Sequence, residues 1–280
     1  MRKAIILTLL FCSLTIYGCS QESDFELTES EKNGIVFYFA DQAKRSTEPV
    51  IVLCHGLGGN HQDMDAAEEF FYEQGYAIVT LDLYGHENVT YDSDIYIDEM
   101  LTMSADKINN ILRILKEEQL CSAGQYGIYG YSFGGMVGFY LAAYGEVSPQ
   151  ILISMSSLPD FNAILENSYA SIPMKLNAET GQFEKTSPNE NLMLAEWMSS
   201  NNPVDQLEQM KSTAIYMVNG SKDSIMPIEV AEQFQEKFNR LGGIIQLYIN
   251  PDGTHNELGD YHIESIIESA TSILSPLGGN

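Results

Sequence analysis

Short, almost unbroken apolar runs alternate with stretches of helical periodicity along most of this chain. That alternation restricts the fold more than any other feature. Residues 50–54, 77–81, 126–129, 151–154, 214–218 and 244–249 read as strands. Helical patterns lie at 63–74, 98–118, 133–144, 228–241 and 263–274. In the longest of them Ile108, Ile111, Leu112 and Leu115 recur on one helical face. Strands that are apolar on both sides need cover on both sides, and parallel neighbours need a crossover helix between them. The pattern therefore predicts an α/β fold, with a mostly parallel sheet between two helical layers. Ahead of the first buried run, residues 25–28 and 35–40 flank Asn33-Gly34, a hairpin signal. With 280 residues, 44% of them hydrophobic, the chain can bury a large core.

Acidic residues outnumber basic ones 39 to 14, a net charge of −25. A nucleic-acid binder needs basic surface to displace counterions, so this balance excludes nucleic acid as a partner. At the N-terminus Arg2 and Lys3 precede an apolar run over 4–14. That run is too short to cross a bilayer but fits the core of a secretory signal. It ends in Ile16-Tyr17-Gly18-Cys19, which resembles a bacterial lipobox with Tyr17 in place of the usual small residue. The expected organisation is a signal over 1–18, a lipidated Cys19, a polar tether over 19–28 and one domain over 29–280; the other reading is an ordinary signal peptide with an incidental Cys. The lipidated protein would be exported and held at a membrane of the cell envelope by its lipid. Cys54 and Cys121 fall at opposite ends of their strands, too far apart for a disulfide.

Residues 158–205 break the alternation. They hold Phe161, Tyr169, Met174, Phe183, Met193, Trp197 and Met198 among polar residues, with a hairpin turn at 178–181. An insertion of this length inside a compact domain reads as a lid or binding loop. Phe161 and Trp197 are then expected to line an apolar pocket; the other reading is that these side chains pack on the sheet.

The chemistry concentrates where strands end. Gly130-Tyr131-Ser132-Phe133-Gly134 matches G-x-S-x-G between a strand and a helix, the setting in which a sharp turn exposes a nucleophilic serine. Cys54-His55-Gly56-Leu57-Gly58-Gly59 also follows a strand. It fails as a dinucleotide loop, because His61 stands where the third glycine belongs, and no Gly-Lys-Ser/Thr makes it a phosphate loop. It suits an oxyanion loop, with the backbone N–H groups of Leu57 and Phe133 as donors. Asp223 follows the strand at 214–218 and His255 the strand at 244–249. The order Ser132, Asp223, His255 predicts a serine–histidine–aspartate triad at one sheet edge. His86 follows another strand, near the same edge; it reads either as a substrate contact or as packing within its loop. His55, Tyr131, His86, Phe161 and Trp197 are the expected substrate-pocket residues. His61 and His262 read as structural. Asp92, Asp94 and Asp98 fail as a calcium loop, with Tyr96 and Met103 at required ligand positions, and no His/Cys set has zinc spacing, so no metal site is expected.

These motifs, in this order, resemble the α/β-hydrolase superfamily over residues 50–274. Within it the chain is similar to small esterases of the prolyl-oligopeptidase-like and dienelactone-hydrolase-like branch. It carries Ser132 where dienelactone hydrolases carry Cys, and no propeller domain is expected within these residues. The resemblance implies an eight-stranded, mostly parallel sheet with a lid insertion and cofactor-free hydrolysis of a small-molecule ester through an acyl-enzyme. A peptidase or acyl-peptide hydrolase of the same fold, and a non-catalytic binding lipoprotein, are the alternative functions.

Overall fold

The computed structural model describes residues 26–32, 34–40, 49–120, 125–168, 173–258 and 266. The expected signal segment, Cys19, Cys121, Tyr169, His262 and almost all of the last expected helix lie outside these residues. In chain order the strands are β1 (Thr28–Lys32), β2 (Ile35–Ala40), β3 (Val50–Cys54), β4 (Ala77–Thr80), β5 (Ile95–Tyr96), β6 (Tyr126–Tyr131), β7 (Ile151–Met155), β8 (Lys175–Asn177), β9 (Gln182–Glu184), β10 (Ala214–Gly220) and β11 (Ile245–Asn250). The helices are α1 (Asp65–Glu73), α2 (Ile97–Glu117), α3 (Phe133–Tyr144), α4 (Phe161–Ser168), α5 (Pro188–Ser200), α6 (Leu207–Met210) and α7 (Ile228–Arg240).

Among the described residues the central sheet has eight strands, in the order β1-β2-β4-β3-β6-β7-β10-β11. The β1–β2 hairpin joins antiparallel to β4, and the other pairings are parallel. Alternate side chains of one strand feed two cores. Val50, Val52 and Cys54 of β3 pack with α2, α3 and α7 on one face. Ile51 and Leu53 pack with Phe71 of α1 and with Ile266 on the other. The continuous apolar runs arise from this two-sided burial.

The first strand sits later than expected, at Thr28–Lys32 rather than 25–28. The tight turn pairs Lys32 directly with Ile35, so the charged segment Thr-Glu-Ser-Glu-Lys becomes a mostly exposed edge strand. Charge on an edge discourages pairing with other chains. The helix expected over 63–74 begins with a 3-10 turn at His61–Met64, capped by Asn60 and Asp63.

Residues 158–205 form α4, a β8–β9 hairpin, α5 and a 3-10 turn at Pro203–Asp205. The hairpin turns at 178–181 with Gly181 at φ +65°, and β5 adds to make a three-stranded sheet. Met174, Phe161 and Met198 are buried in the main core. The insertion is thus fastened to the domain through its own apolar side chains.

Candidate active site

The carboxyl ends of β3, β6, β10 and β11 lie at one edge of the sheet because these strands are parallel, and their loops meet there. Ser132 sits between β6 and α3 at φ 50°, ψ −111°. Few side-chain-bearing residues adopt this conformation. The turn is possible because Gly130 and Gly134, two residues to either side, lack side chains. A Cβ on Gly130 would lie 2.5 Å from the Gly134 carbonyl, and one on Gly134 would lie 2.0 Å from the Cys54 carbonyl oxygen. The Ser132 N–H donates to the Met155 carbonyl at 2.8 Å, which ties the turn to β7.

Ser132 Oγ lies 2.9 Å from His255 Nε2, and His255 Nδ1 lies 2.8 Å from Asp223 Oδ2. The other oxygen of Asp223 accepts the N–H groups of Ile225 and Met226 at 2.8 and 2.9 Å. The carboxylate is therefore held by three donors. With Nδ1–H donated to Asp223, His255 presents Nε2 as an acceptor to the Ser132 hydroxyl.

The loops that carry Asp223 and His255 are laced together. The N–H groups of Ser221 and Lys222 donate to the Asn250 and Gly253 carbonyls, and a Cβ on Gly220 would lie 2.2 Å from the Gly253 carbonyl oxygen. The His255 carbonyl accepts the Tyr131 hydroxyl at 2.6 Å and the Ser156 hydroxyl at 2.8 Å. Ser156 is buried and adopts φ +49°. Neither its role nor that of the Tyr131 hydroxyl was legible in the chain, since both act on backbone far away in sequence.

A cavity of ≈ 190 Å³ opens over Ser132. Ile97, Met136, Pro173, Ile225 and Met226 form its apolar wall, and Leu57, Tyr131, Phe133 and His255 also line it. A second cavity of ≈ 480 Å³ shares Gly56, Leu57 and Tyr131 with the first and extends to Asp63, Met64, Ala66, Ala67 and Tyr129. No hydrogen bond from the Leu57 or Phe133 N–H is formed among the described residues. Both residues line the first cavity.

Four expected pocket residues lie elsewhere. His55 is fully buried, and its ring binds backbone rather than facing the cleft. His86 sits behind the 55–59 loop, stacked on Phe133 with ring centres 5.7 Å apart and tilted against Phe183 at 5.0 Å. Phe161 opens α4, where Asn202 Oδ1 accepts its N–H at 2.9 Å, and its ring enters the core. Trp197 stacks on Tyr140 of α3 at 6.1 Å. Of residues 158–205, Pro173 is the described residue that reaches the cavity over Ser132. The apolar wall comes instead from positions beside known landmarks. Ile225 and Met226 follow Asp223, and Met136 lies one helical turn past Ser132.

Residues 34–152 match the Dienelactone hydrolase family. Over 150 residues the chain is 25% identical to the bifunctional esterase/perhydrolase DCH of Acinetobacter calcoaceticus, a stretch that is 52% of this chain and 49% of that protein. The match thus spans about half the length of that curated relative. Among solved structures, TT1662 from Thermus thermophilus superposes with a TM-score of 0.65 at 15% identity, covering 90% of this chain and 99% of that one. Est1E from Butyrivibrio proteoclasticus gives 0.63 at 20% identity over 89% and 97%. The acylaminoacyl peptidase of Pyrococcus horikoshii gives 0.59 at 17% identity, over 82% of this chain and 37% of that one. The fold is the α/β-hydrolase fold.

Proposed function

We propose that this protein is a serine hydrolase that cleaves carboxylic esters of small to medium neutral acyl groups. The observation that carries the reading is the unbroken hydrogen-bond chain from Ser132 through His255 to Asp223, at 2.9 and 2.8 Å. In this reading Ser132 Oγ attacks the ester carbonyl while its proton passes to His255 Nε2. Asp223 holds the imidazole in the required tautomer and stabilises the imidazolium. The Leu57 and Phe133 N–H groups receive the oxyanion, each such donor contributing roughly 3 kcal/mol of transition-state stabilisation. Collapse of the tetrahedral species breaks the ester C–O bond, and His255 gives its proton to the departing alcohol. Water then attacks the acyl-Ser132, losing a proton to His255, and the acid leaves as the serine is reprotonated.

The cavity over Ser132 supports the acyl preference. At ≈ 190 Å³ it has room for a short chain, and its wall of Ile97, Met136, Pro173, Ile225 and Met226 suits an apolar group. No lysine or arginine stands among the described lining residues, and the net charge of −25 works against anionic substrates.

The test is a fluorophosphonate probe with matched ester and amide substrates on wild type and Ser132→Ala. Labelling of wild type, and loss of roughly four to six orders of magnitude in turnover by the variant, are expected. A wild-type protein that does not label would be the non-catalytic binding protein. Faster cleavage of the amide would make it a peptidase. A Ser132→Ala protein with even a tenth of wild-type turnover would overturn the nucleophile assignment.

A further inference from the structure

Two of the histidines that lie away from the cleft are cross-connected. His55, at the start of the loop after β3, turns Nε2 to the N–H of Leu83, in the loop after β4, at 3.0 Å. His86, in the loop after β4, turns Nε2 to the N–H of Gly58, in the loop after β3, at 2.9 Å. Each ring thus accepts a backbone hydrogen bond from the loop that carries the other. The rings meet edge to face with centres 4.9 Å apart.

A backbone N–H can only donate, so each Nε2 must be unprotonated. The tautomers agree with this. His55 Nδ1 lies 2.8 Å from the Gly56 carbonyl and His86 Nδ1 lies 3.2 Å from the Tyr84 carbonyl, so each ring carries its proton on Nδ1. Burial also keeps the rings neutral. It pushes the His86 pKa down to about 4, with His55 adding to the effect and Glu87 opposing it. It lowers the His55 pKa too, with His61 acting in the same direction and Asp82 and Asp63 opposing.

The geometry singles out what the pair holds. Leu57 lies between His55 and Gly58, so its N–H sits on a short span of backbone fastened at both sides. Gly58 adopts φ +78°, a conformation with no side chain of its own to fix it. Phe183 of β9 lies within 4.0 Å of where a Gly58 Cβ would be and packs on His86, so the insertion backs the same span.

We infer that His55 and His86 are reciprocal positioning residues that hold the Leu57 N–H in place for the developing oxyanion. This rests on the reading of Ser132 as nucleophile and Leu57 as oxyanion donor. The two loops are separate in sequence, and neither tether is within one loop. Removing either acceptor frees the Leu57 peptide to turn away from the reacting carbonyl.

The test compares His86→Phe, which keeps an aromatic ring and loses the acceptor, with His86→Gln, whose side-chain oxygen can accept from Gly58. His86→Phe should lower kcat on a short-chain nitrophenyl ester by about tenfold to a hundredfold, with KM little changed. Affinity for a boronic acid that mimics the tetrahedral species should fall by a similar factor. His86→Gln should recover most of both losses. A folded His86→Phe protein with kcat within about twofold of wild type would overturn the inference. So would a His86→Gln protein no better than His86→Phe. Nitrogen-15 NMR of the wild-type histidines needs no variant to fold. Neutral Nδ1–H tautomers are expected for His55 and His86 at neutral pH, and a proton on either Nε2 would refute the tether. Ser132→Ala run alongside separates the two readings. Activity there overturns the nucleophile itself, whereas an inert Ser132→Ala beside a fully active His86→Phe overturns the tether alone.

Discussion

Replacing Ser132 by glycine should make the protein more stable than replacing it by alanine, although both variants lose the attacking hydroxyl. The reason is the backbone at φ 50°, ψ −111°. A side-chain-bearing residue held in such a sparsely populated region is strained by about 1–3 kcal/mol. Glycine has no Cβ and enters the mirror-β region freely, but it loses about 0.5–1 kcal/mol through the greater freedom of the unfolded chain. At the middle of both ranges the difference favours Ser132→Gly over Ser132→Ala by about 1 kcal/mol. Both variants break the 2.9 Å Ser132–His255 contact, so that loss cancels in the comparison. For a domain of this size each kcal/mol moves Tm by about 2–4 °C, which is the expected gain. Calorimetry and denaturant titrations with equal slopes would measure it. If Ser132→Gly proves no more stable than Ser132→Ala, the turn stores no strain and the reasoning fails.

Three other substitutions test the structure independently. Gly134→Ala would bring a methyl group within 2.0 Å of the Cys54 carbonyl oxygen, where backbone must move. A loss of about 3 kcal/mol or more in denaturant unfolding is expected. Gly181→Ala, with φ +65° but open space around it, should lose only about 1–2 kcal/mol, and equal losses would contradict the crowding. Glu68 is buried on α1, its Oε1 has no partner among the described residues, and burial pushes its pKa up from 4.5 to about 7, with Asp65 adding to the rise. The folded state therefore binds this proton more tightly than the unfolded state does. Below the unfolded value of 4.5 both states are protonated and the group costs nothing in linkage; the penalty grows as pH rises and is complete above about 7. Thermal melts of Glu68→Gln against wild type should show a stabilisation that increases from acid to mildly alkaline pH. A gain that does not change with pH would show that Glu68 is not held protonated.

Much of the site was legible because its parts follow strand ends. The Gly130–Gly134 turn is local, and its glycines are read directly from neighbouring residues. Asp223 and His255 are far from Ser132 in sequence, but each follows a strand of the same parallel sheet. Parallel strands present their carboxyl ends together, so chain order and strand assignment were enough to bring the three side chains to one edge. The insertion was harder to read. Its α5 helix carries a start signal, Ser187-Pro188 with Glu190 completing a capping box, that marks it in the sequence. Yet only Leu194 and Met198 of that helix are buried, so no long apolar stripe announces it.

By itself the sequence determined the two-sided α/β sheet, the sharp turn at Ser132 and the shared edge for Ser132, Asp223 and His255. Those features depend on local spacing, on alternating runs and on the direction of parallel strands. The direction in which loop and helix side chains point was decided by tertiary structure alone. His55 and His86 turn away from the cleft because their acceptors meet backbone N–H groups 28 residues distant in each case. Phe161 enters the core and Trp197 lies against Tyr140, so the wall over Ser132 is left to Ile97, Met136, Pro173, Ile225 and Met226. An aromatic residue in an irregular segment satisfies the same hydrophobic demand against the sheet or against a ligand. Which surface it covers depends on the neighbours that packing brings beside it, and no pattern within the segment encodes them.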